Sequence, residues 1–367
     1  MKDNQRERAI VIFTGTDPES GKGGIGVVLP GYFYALKAVN MEYDWVSTYH
    51  PVVSGGKWRP WLRAFPALFQ RIRRAQKQGK RVVVYSHAGD GVSFFRETCI
   101  LWFTRILGAR TLLQIHSPKV DGYLDSWYKK VALKTSFVPA DRVCVLTQWW
   151  KNRLRQAGIG KTISVIANPL PPELLKVANS KPTEGATESH SSVTVLSMAR
   201  LVAGKGVDVM IHALVNLPAR VQLVIAGDGE QKPELQRLVE DLGLGQRVRF
   251  AGWVSGQDKA RLLERTDIFC LPSTYDAFPM SMVEAMAHGL PVVAVKWGGI
   301  PDMVADGRVG FLADEPRPEA IAEAIEGLLD KDRRLEMGRE AKRWVLEISE
   351  PERVGQRLKE LIEELIA

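Results

Sequence analysis

Short runs of apolar residues alternate with segments of helical periodicity through the first half of the chain. The first run, at positions 9–13, has five apolar residues in succession, which predicts a strand buried on both faces. Four more runs predict strands at 81–86, 111–116, 142–147 and 162–167. The segments between them predict helices at 93–107, 125–137 and 149–157. Strands and helices in this order favour a parallel sheet with right-handed crossovers.

The alternation stops at Asn168 and resumes at Val193. Residues 179–192 are polar and nearly free of large apolar side chains, which predicts an exposed linker. The second series predicts strands at 193–196, 221–226, 248–252, 268–271 and 291–295, and helices at 207–217, 231–242, 257–265, 281–288 and 318–329. We therefore expect two successive doubly wound α/β domains, at 1–172 and 173–350. Residues 351–367 have apolar residues at helical spacing and predict a last helix that could pack on either domain, including back on the first.

The composition is that of a soluble globular protein. The 367 residues are 45% hydrophobic and 25% charged, and this length agrees with two domains. Cys99, Cys144 and Cys270 lie in separate apolar runs without metal-ligand spacing, which indicates buried thiols in a reducing compartment. The sequence begins without a signal-peptide pattern, and its most apolar helix, near 100–107, is too short to span a bilayer. We therefore expect a cytoplasmic protein.

The formal net charge is +8, and nine Lys and Arg residues lie in one segment, 57–81, interleaved with tryptophan and phenylalanine. A helix of this composition suits the surface of an anionic membrane. A core-facing helix with a solvated basic back explains the same pattern, so both interpretations stay open. Nucleic acid is another polyanion that such a charge attracts, but the sequence has no RNA-binding signature or DNA-reading helix pair, and we expect none to bind.

The string Gly21-Lys22-Gly23-Gly24-Ile25-Gly26 matches the dinucleotide fingerprint G-x-G-x-x-G. The fingerprint has its first glycine in the tight turn directly after a strand, whereas residues 14–20 intervene here. With Asp44 as an acid near the end of a second strand, a nicotinamide or flavin enzyme stays as one interpretation. The others are a glycine loop that closes over a phosphate or sugar bound mainly by the other domain, and a plain surface turn.

Five loops of the second series follow a predicted strand, at the carboxyl edge where ligands of open α/β sheets bind. The first, 197–206, contains Arg200 and Lys205, and an arginine fork with a lysine point charge suits a diphosphate. Two solvated cations in a loop are the alternative. Glycines in the other loops let the backbone approach a ligand closely; these loops are 227–230, 250–254, 272–291 and 297–302.

The stretch 272–291 follows the apolar run 268–271 and enters a predicted helix. Pro279 marks the start of this helix, and Gly289 with Pro291 marks its end. Asp276 lies in the loop and Glu284 about two turns into the helix, a spacing that lets both carboxylates face one polyhydroxylated ligand. Free N–H groups at the helix start add a partial positive charge.

This stretch resembles the signature of retaining glycosyltransferases of family 4, S-x-x-E-G-F-P-x-x-x-x-E-A-M-A-x-G-x-P-V-V-A. Phe278, Pro279 and Glu284 agree with it, as do Ala285, Met286, Ala287, Gly289 and Pro291, whereas Asp276 and Ala277 stand where the signature has Glu-Gly. The resemblance covers essentially the whole chain and is strongest at 193–310. It implies the GT-B fold, in which two doubly wound Rossmann-like domains face each other across a cleft, the first binding the acceptor and the second the nucleotide-sugar donor.

The resemblance also implies a role for each matching residue. Asp276 bonds the donor sugar's hydroxyls, Glu284 bonds the ribose, and Arg200 and Lys205 hold the diphosphate. Residues 250–254 border the base, and His116 lies close to the transferred sugar. The implied catalytic residues are His116, Arg200, Lys205 and Asp276, and the implied donor-binding residues are Gly23, Gly24, Gly227, Val254, Ala277, Phe278, Pro279, Met280, Ser281 and Glu284. The aspartate carboxylate lies ~1.5 Å further back than a glutamate's unless the loop compensates, which leaves the sugar open.

We therefore expect a retaining hexosyltransferase that moves a sugar from a UDP- or GDP-sugar to a hydroxyl acceptor, with no metal and no cofactor. Because of the basic aromatic segment, the expected acceptor is a lipid-linked oligosaccharide of bacterial polysaccharide biosynthesis, and the expected location is the inner face of the membrane. The alternatives are a GT-B sugar-nucleotide epimerase, an NAD-dependent oxidoreductase and a noncatalytic sugar-nucleotide-binding subunit.

Overall fold

The computed structural model describes residues 9–20, 24–51, 55–180 and 192–367. The chain divides into a first unit, Met1–Pro172 with Ser349–Ala367, and a second unit, Glu173–Ile348. Each unit has one parallel sheet with helices packed on it, which confirms the predicted pair of Rossmann-like α/β folds. Gly21 and Gly23, and most of the predicted linker, lie outside the described residues.

The first unit is built on a six-stranded parallel sheet in the order β2-β1-β3-β4-β5-β6. Its strands are β1 (Ala9–Thr16), β2 (Glu42–Tyr49), β3 (Arg81–Ala88), β4 (Arg110–Ile115), β5 (Arg142–Val145) and β6 (Ile163–Val165). Its first helices are α1 (Gly24–Ala38), α2 (Arg59–Lys77), α3 (Val92–Ile106), α4 (Trp127–Phe137) and α5 (Gln148–Gln156). The direction of winding reverses between β1 and β3, so their carboxyl ends form the switch point of this sheet.

Aromatic rings fill the core beside these two strands. Phe13 of β1, Tyr32 of α1 and Tyr85 of β3 have no exposed surface, and their ring centroids lie 5.5 to 6.2 Å apart. The Tyr85 hydroxyl donates to Gln114 Oε1 at 2.5 Å, so its buried polar end has a partner. Close packing of this kind fixes the strand ends on which the edge of the sheet depends.

The second unit is built on another six-stranded parallel sheet, in the order β12-β11-β10-β7-β8-β9. Its strands are β7 (Val193–Met198), β8 (Val221–Ala226), β9 (Val248–Gly252), β10 (Ile268–Leu271), β11 (Val292–Val295) and β12 (Gly310–Ala313). The remaining helices of the chain are α6 (Pro172–Asn179), α7 (Val207–Val215), α8 (Lys232–Asp241), α9 (Gly256–Glu264), α10 (Met280–Ala287), α11 (Pro318–Glu326), α12 (Lys331–Ser349) and α13 (Pro351–Ile366). Numbered within the unit, the strand order is 3-2-1-4-5-6, that of dinucleotide-binding folds, with its switch point between β7 and β10.

Some elements lack the apolar runs on which the sequence predictions rest. β2 and β12 are edge strands, and the sequence predicted neither of them as an apolar run; β2 mixes acidic residues with aromatic ones. Asp44 is the third residue of β2 and pairs with Arg71 at 3.1 Å, so the predicted place near a strand end was wrong. In the described part of the chain, no helix is long and apolar enough to cross a membrane.

The last helix, α13, packs on α1 in the first unit. Lys359 Nζ donates to the Val39 carbonyl at 3.3 Å, and Arg142 pairs with Glu364 at 2.8 Å. At Gly355 the two backbones come so close that a Cβ atom would lie 2.3 Å from the Ala35 carbonyl oxygen. The last helix therefore belongs to the first unit, against which it is closely packed.

Gly355→Ala should destabilise the first unit. Alanine gains up to about 1 kcal/mol of helix propensity, but a methyl group at 2.3 Å from backbone oxygen forces the helices apart, at a cost of about 1–3 kcal/mol. We expect a lower urea midpoint for Gly355→Ala. Arg357→Ala, at an exposed position on the same helix, should unfold like the wild type, and an unchanged midpoint in Gly355→Ala would contradict this account of the contact.

Candidate functional site

The loops after β7 and β10 meet at the switch point of the second sheet. The Gly204 carbonyl accepts hydrogen bonds from the Thr274 amide at 2.8 Å and from the Ser273 hydroxyl at 3.2 Å. Gly206 has a φ of +70°, and a Cβ atom there would lie 2.3 Å from the Pro272 carbonyl oxygen. Glycine is therefore required at position 206 both by its backbone angle and by the contact.

The loop after β8 binds the other side of the β7 loop. The Leu201 amide donates to the Asp228 carbonyl at 2.9 Å, and the Gln231 amide donates to the Leu201 carbonyl at 3.0 Å. At Gly227, whose φ is +143°, a Cβ atom would lie 1.8 Å from the Ala199 carbonyl oxygen. The close approach of these two loops therefore requires glycine at position 227, whether or not a ligand also contacts it.

The two cations of the β7 loop have different surroundings. Arg200 is exposed, and in the described part of the chain its side chain has no hydrogen bond or ion pair. Lys205 is buried, and its Nζ lies 2.5 Å from Asp276 Oδ1 and 5.6 Å from the centre of the Tyr275 ring. Arg200 is thus available to a ligand, whereas Lys205 is already paired.

Asp276 has one satisfied oxygen and one unsatisfied oxygen. Oδ1 accepts from Lys205, and Oδ2 is buried without a hydrogen-bond partner among the described residues. A buried carboxylate oxygen without a partner costs about 1–3 kcal/mol or more. This free acceptor atom is where a hydroxyl donor of a ligand would relieve that cost.

Glu284 is the fifth residue of α10, so it lies a little more than one turn into the helix and not about two. Its side chain is buried, and Oε1 accepts from Lys259 Nζ of α9 at 2.7 Å. Lys259 belongs to no motif and was not predicted from the sequence. Each of the two acids of the signature therefore has a lysine partner from another element.

The helix start between the two acids agrees with the prediction. Pro279 occupies the position before α10, and Gly289 follows its end with a φ of +80°. Ala277, Phe278 and Pro279 are buried, and Met280 and Ser281 are half-buried in the first turn. Ala277 has no positive φ, so this loop does not need the glycine of the signature.

Trp253 and Val254 line an open groove of about 800 Å³ beside β8, β9 and α9. Four arginines also line it: Arg247, Arg249, Arg261 and Arg265. Trp253 is exposed and offers a flat ring. The resemblance places the base beside residues 250–254, which stays a prediction. Ala251, Trp253 and Val254 of that stretch line the groove, whereas Thr194, Gln222 and Arg247, which also line it, lie at or before the starts of their strands.

In the first unit, the carboxyl ends of β3 and β4 bring two histidines together. His116 follows β4, and its Nε2 lies 2.9 Å from Nδ1 of His87, the last residue but one of β3. His87 is fully buried, and its Nε2 has no partner among the described residues. His87 was not predicted from the sequence, although it too lies near the carboxyl end of its strand. Gly24 is the exposed first residue of α1.

Burial keeps both histidines neutral. It lowers the pKa of His116 from 6.5 to about 3. Burial, with a smaller contribution from repulsion by His116, holds the pKa of His87 well below its ordinary value. A neutral pair can exchange one hydrogen bond, and it presents imidazole instead of imidazolium to whatever binds there.

A buried acid lies near this pair, at the switch point of the first sheet. Glu97 of α3 accepts from Thr14 of β1 at 2.7 Å and from Thr48 of β2, and Thr14 also contacts Ser86 of β3 at 2.6 Å. Burial raises the pKa of Glu97, although these hydrogen bonds oppose the shift. The network joins three strand ends to one helix and has no exposed carboxylate.

Comparison with known proteins identifies the second unit. Residues 184–344 match the family model for Glycosyl transferases group 1. This stretch is a Glycosyl transferases group 1 domain. The switch-point loops and α10 therefore belong to the group 1 domain, and so do Arg200, Lys205, Asp276 and Glu284. Among the described residues, no group of His, Cys, Asp and Glu side chains is arranged to hold a metal ion.

Two curated relatives each match less than half of the chain. The lipopolysaccharide core biosynthesis glycosyltransferase LpsE of Rhizobium meliloti is 38% identical over 136 residues, which are 37% of this chain and 39% of that protein. A GDP-mannose-dependent alpha-(1-6)-phosphatidylinositol monomannoside mannosyltransferase of Mycolicibacterium smegmatis is 34% identical over 179 residues, 46% of this chain and 47% of that protein. The chain spans less than half the length of both relatives.

The fold is similar to solved structures along nearly the whole chain. Anabaena Alr3699/HepE, solved in complex with UDP, gives a TM-score of 0.72 at 20% identity, over 97% of this chain and 100% of that one. At this identity the likeness concerns the fold alone. The fold is that of GT-B glycosyltransferases, with two Rossmann-like domains in one chain.

The neutral histidines predict acid sensitivity. Between pH 6.5 and about 3 the folded chain resists protonation at His116, whereas the unfolded chain takes the proton up. Stability therefore falls on acidification, with a slope that approaches about 1.4 kcal/mol per pH unit for one histidine. Urea unfolding of His116→Gln between pH 7 and 4 should show a flatter slope than the wild type. His212→Gln, which changes an exposed histidine of α7, should not, and equal slopes in all three proteins would contradict the prediction.

Proposed function

We propose that the chain is a retaining hexosyltransferase that transfers a sugar from a UDP- or GDP-sugar to a hydroxyl acceptor. One observation carries the proposal: at the switch point of the group 1 domain, the β7 loop contains Arg200, exposed and without a partner among the described residues, and Lys205, which pairs with Asp276 of the β10 loop, and the buried Glu284 follows in α10. A diphosphate and a polyhydroxylated sugar need this combination of cation and carboxylate. The Anabaena structure holds UDP and the Mycolicibacterium relative is GDP-mannose-dependent, so both bases are retained.

The reaction breaks the bond between the anomeric carbon and the β-phosphate oxygen. The bonding electrons stay on that oxygen, and Arg200 and Lys205 stabilise the charge that develops there. The acceptor oxygen bonds the anomeric carbon on the same face, and its proton passes to the departing phosphate oxygen. Retention follows without a protein nucleophile, and the cations take the place of a metal. Transfer should therefore persist in the presence of EDTA.

The pairing of Lys205 with Asp276 gives the aspartate a second task. The shorter side chain keeps its carboxylate on the lysine, and it leaves Oδ2 free for a sugar hydroxyl. Glu284 bonds the ribose in this scheme, with Lys259 fixing its rotamer at 2.7 Å. His116, as neutral imidazole, is the group of the first unit that we assign to the transferred sugar.

The proposed acceptor is a lipid-linked oligosaccharide of bacterial polysaccharide biosynthesis, met at the inner face of the membrane. The relatives' names support this class, since one concerns the lipopolysaccharide core and the other a phosphatidylinositol mannoside. The basic aromatic segment 57–81 supports it as well, because its exposed arginines suit anionic lipid. No nucleic acid is expected as a partner.

A thermal-shift screen with UDP, GDP, ADP, dTDP and NAD separates this proposal from its alternatives. A glycosyltransferase is stabilised by one nucleoside diphosphate, and donor turnover then requires an acceptor. An NAD-dependent oxidoreductase would respond to NAD, an epimerase would convert the donor without an acceptor, and a binding subunit would bind the donor without turnover. Stabilisation by NAD alone would overturn the proposal.

Arg200→Ala should lower kcat on the order of 10²-fold, because one preorganised charge is lost from the developing oxyanion. The measurement is the transfer rate with the donor that the screen identifies. Arg220→Ala is the matched control, since Arg220 is an exposed arginine just before β8, at the opposite edge of the same sheet. Near-wild-type turnover in Arg200→Ala would remove the proposed role.

Asp276→Glu should change the choice of sugar and leave nucleotide affinity nearly unchanged. The longer carboxylate moves ~1.5 Å towards the sugar and alters its contact with Lys205, whereas Glu284 and the base groove stay as they are. Competition between UDP- or GDP-sugars reports the first effect, and calorimetric titration of the nucleotide reports the second. Glu284→Gln should give the reverse pattern, so an Asp276→Glu variant that mainly loses nucleotide affinity contradicts the assignment.

A further inference from the structure

The two most exposed large apolar side chains among the described residues of the first unit, Ile106 and Trp127, lie on α3 and α4. Ile106 is 80% exposed, Trp127 79% and Phe95 57%, and Trp102 is also exposed. Exposed apolar residues are common singly, but a contiguous group of large ones marks a binding surface. These residues lie outside the basic aromatic segment 57–81.

On α3 the exposed residues form one stripe. Phe95, Trp102 and Ile106 follow each other at intervals of seven and four residues, which places them on the same side of the helix. The opposite side is the core side, where Ile100 and Leu101 have no exposed surface. The helix is therefore apolar both towards the core and towards the solvent.

α4 repeats the arrangement beside it. Trp127, Tyr128 and Val131 are exposed, whereas Leu133 and Phe137 are buried. The two helices touch through the rings of Phe94 and Phe137, whose centroids lie 5.7 Å apart, and through a 3.5 Å hydrogen bond from Thr98 to Ser136. We call the exposed set the α3–α4 surface; it consists of Phe95, Trp102, Ile106, Trp127, Tyr128 and Val131.

α2 flanks this surface, and two of its aromatic residues, Trp61 and Phe65, contact α3 instead of solvent. Trp61 donates to the Arg96 carbonyl at 3.2 Å, and the Phe65 ring packs 5.0 Å from that of Phe103. Leu62 and Phe69 are its two exposed large apolar residues, and Ala64, Leu68, Ile72 and Ala75 face the core. α2 therefore has one side that faces the core and another that exposes basic and apolar residues. Both interpretations of the segment 57–81, a core-facing helix and a helix suited to a membrane surface, agree with this arrangement.

The charge around the surface is strongly positive. The three helices α2, α3 and α4 contain eleven Lys and Arg residues and a single acid, Glu97, which is fully buried. Arg96 is buried, and Arg71 and Arg105 pair with Asp44 and Asp141. The other eight basic residues are Arg59, Arg63, Arg73, Arg74, Lys77, Lys129, Lys130 and Lys134. A second copy of the chain would bring the same positive charge against this one. An anionic layer with an apolar interior satisfies both the charge and the exposed rings.

We propose that the α3–α4 surface is a membrane-binding surface that inserts its aromatic side chains among the headgroups of anionic lipid. Tryptophan and tyrosine favour this depth because each has an apolar ring and a polar edge. The lysines of α4 and the arginines of α2 bind the lipid phosphates around it. The α3–α4 surface is then the part of the protein that contacts the membrane in which the acceptor lies. Only this biological purpose of the surface rests on the proposed function.

The test is sedimentation of the full chain with vesicles of phosphatidylcholine alone or of phosphatidylcholine with phosphatidylglycerol. One variant combines Phe95→Ser, Trp102→Ser, Ile106→Ser and Trp127→Ser. A second combines Lys129→Gln, Lys130→Gln and Lys134→Gln. The matched control is Val215→Ser with Leu335→Ser, which removes exposed apolar residues from the second unit.

The wild type and the control should pellet with the anionic vesicles. The aromatic variant should bind them more weakly by on the order of tenfold or more, and the lysine variant by on the order of 10²-fold. Thermal unfolding and UDP or GDP binding of both variants should match the wild type, because every substituted residue is on the surface of the first unit.

Three results would overturn the proposal. The first is that the wild type fails to pellet with anionic vesicles, and the second is that the aromatic variant pellets as well as the wild type. In the third, the wild type forms a dimer in solution that the aromatic variant does not form, which makes the surface an interface between copies. Because vesicle binding is measured without a sugar donor, its failure is distinguishable from failure of the transferase activity.

Discussion

Main-chain contact between neighbouring loops is the constraint on which the donor edge of the second unit depends. The β7 loop is held on one side by Thr274 and Ser273 and on the other by Asp228 and Gln231. Gly206 and Gly227 allow these contacts because a side chain at either place would overlap a carbonyl oxygen. Once the loops are joined, the backbone places Lys205 beside Asp276 without a ligand, and Arg200 lies in the same β7 loop as Lys205.

The fold was predictable wherever burial on both faces of a strand left a continuous apolar run. Strands β1, β3, β8, β10 and β11 were predicted on that basis, and α10 through Pro279 and Gly289. β2 is an edge strand and lacks such a run, and β12, an edge strand of only four residues, was also not predicted. Periodicity reports burial, so an element that is buried little or mixes acids with aromatic residues gives no clear pattern.

The candidate site was predictable as a set of residues but not as a set of pairs. The signature supplied Asp276 and Glu284, yet their lysine partners lie 71 and 25 positions away in sequence. Likewise His116 was found through its motif, whereas His87, 29 positions earlier, became significant only when the two strands were seen side by side. Such pairings depend on the sheet order, and the sequence pattern alone does not specify which strand ends become neighbours.

The return of the chain to the first unit has a consequence for its synthesis. α1 packs against α13, which follows the entire second unit in sequence. During translation the contact face of α1 has to wait until the second unit and α13 have been made, so an apolar face stays uncovered for most of that time. Domains generally fold from the N-terminus onward as they are synthesised; here the unit that begins first is completed last, and a nascent chain stalled within the second unit would expose a face that chaperones bind.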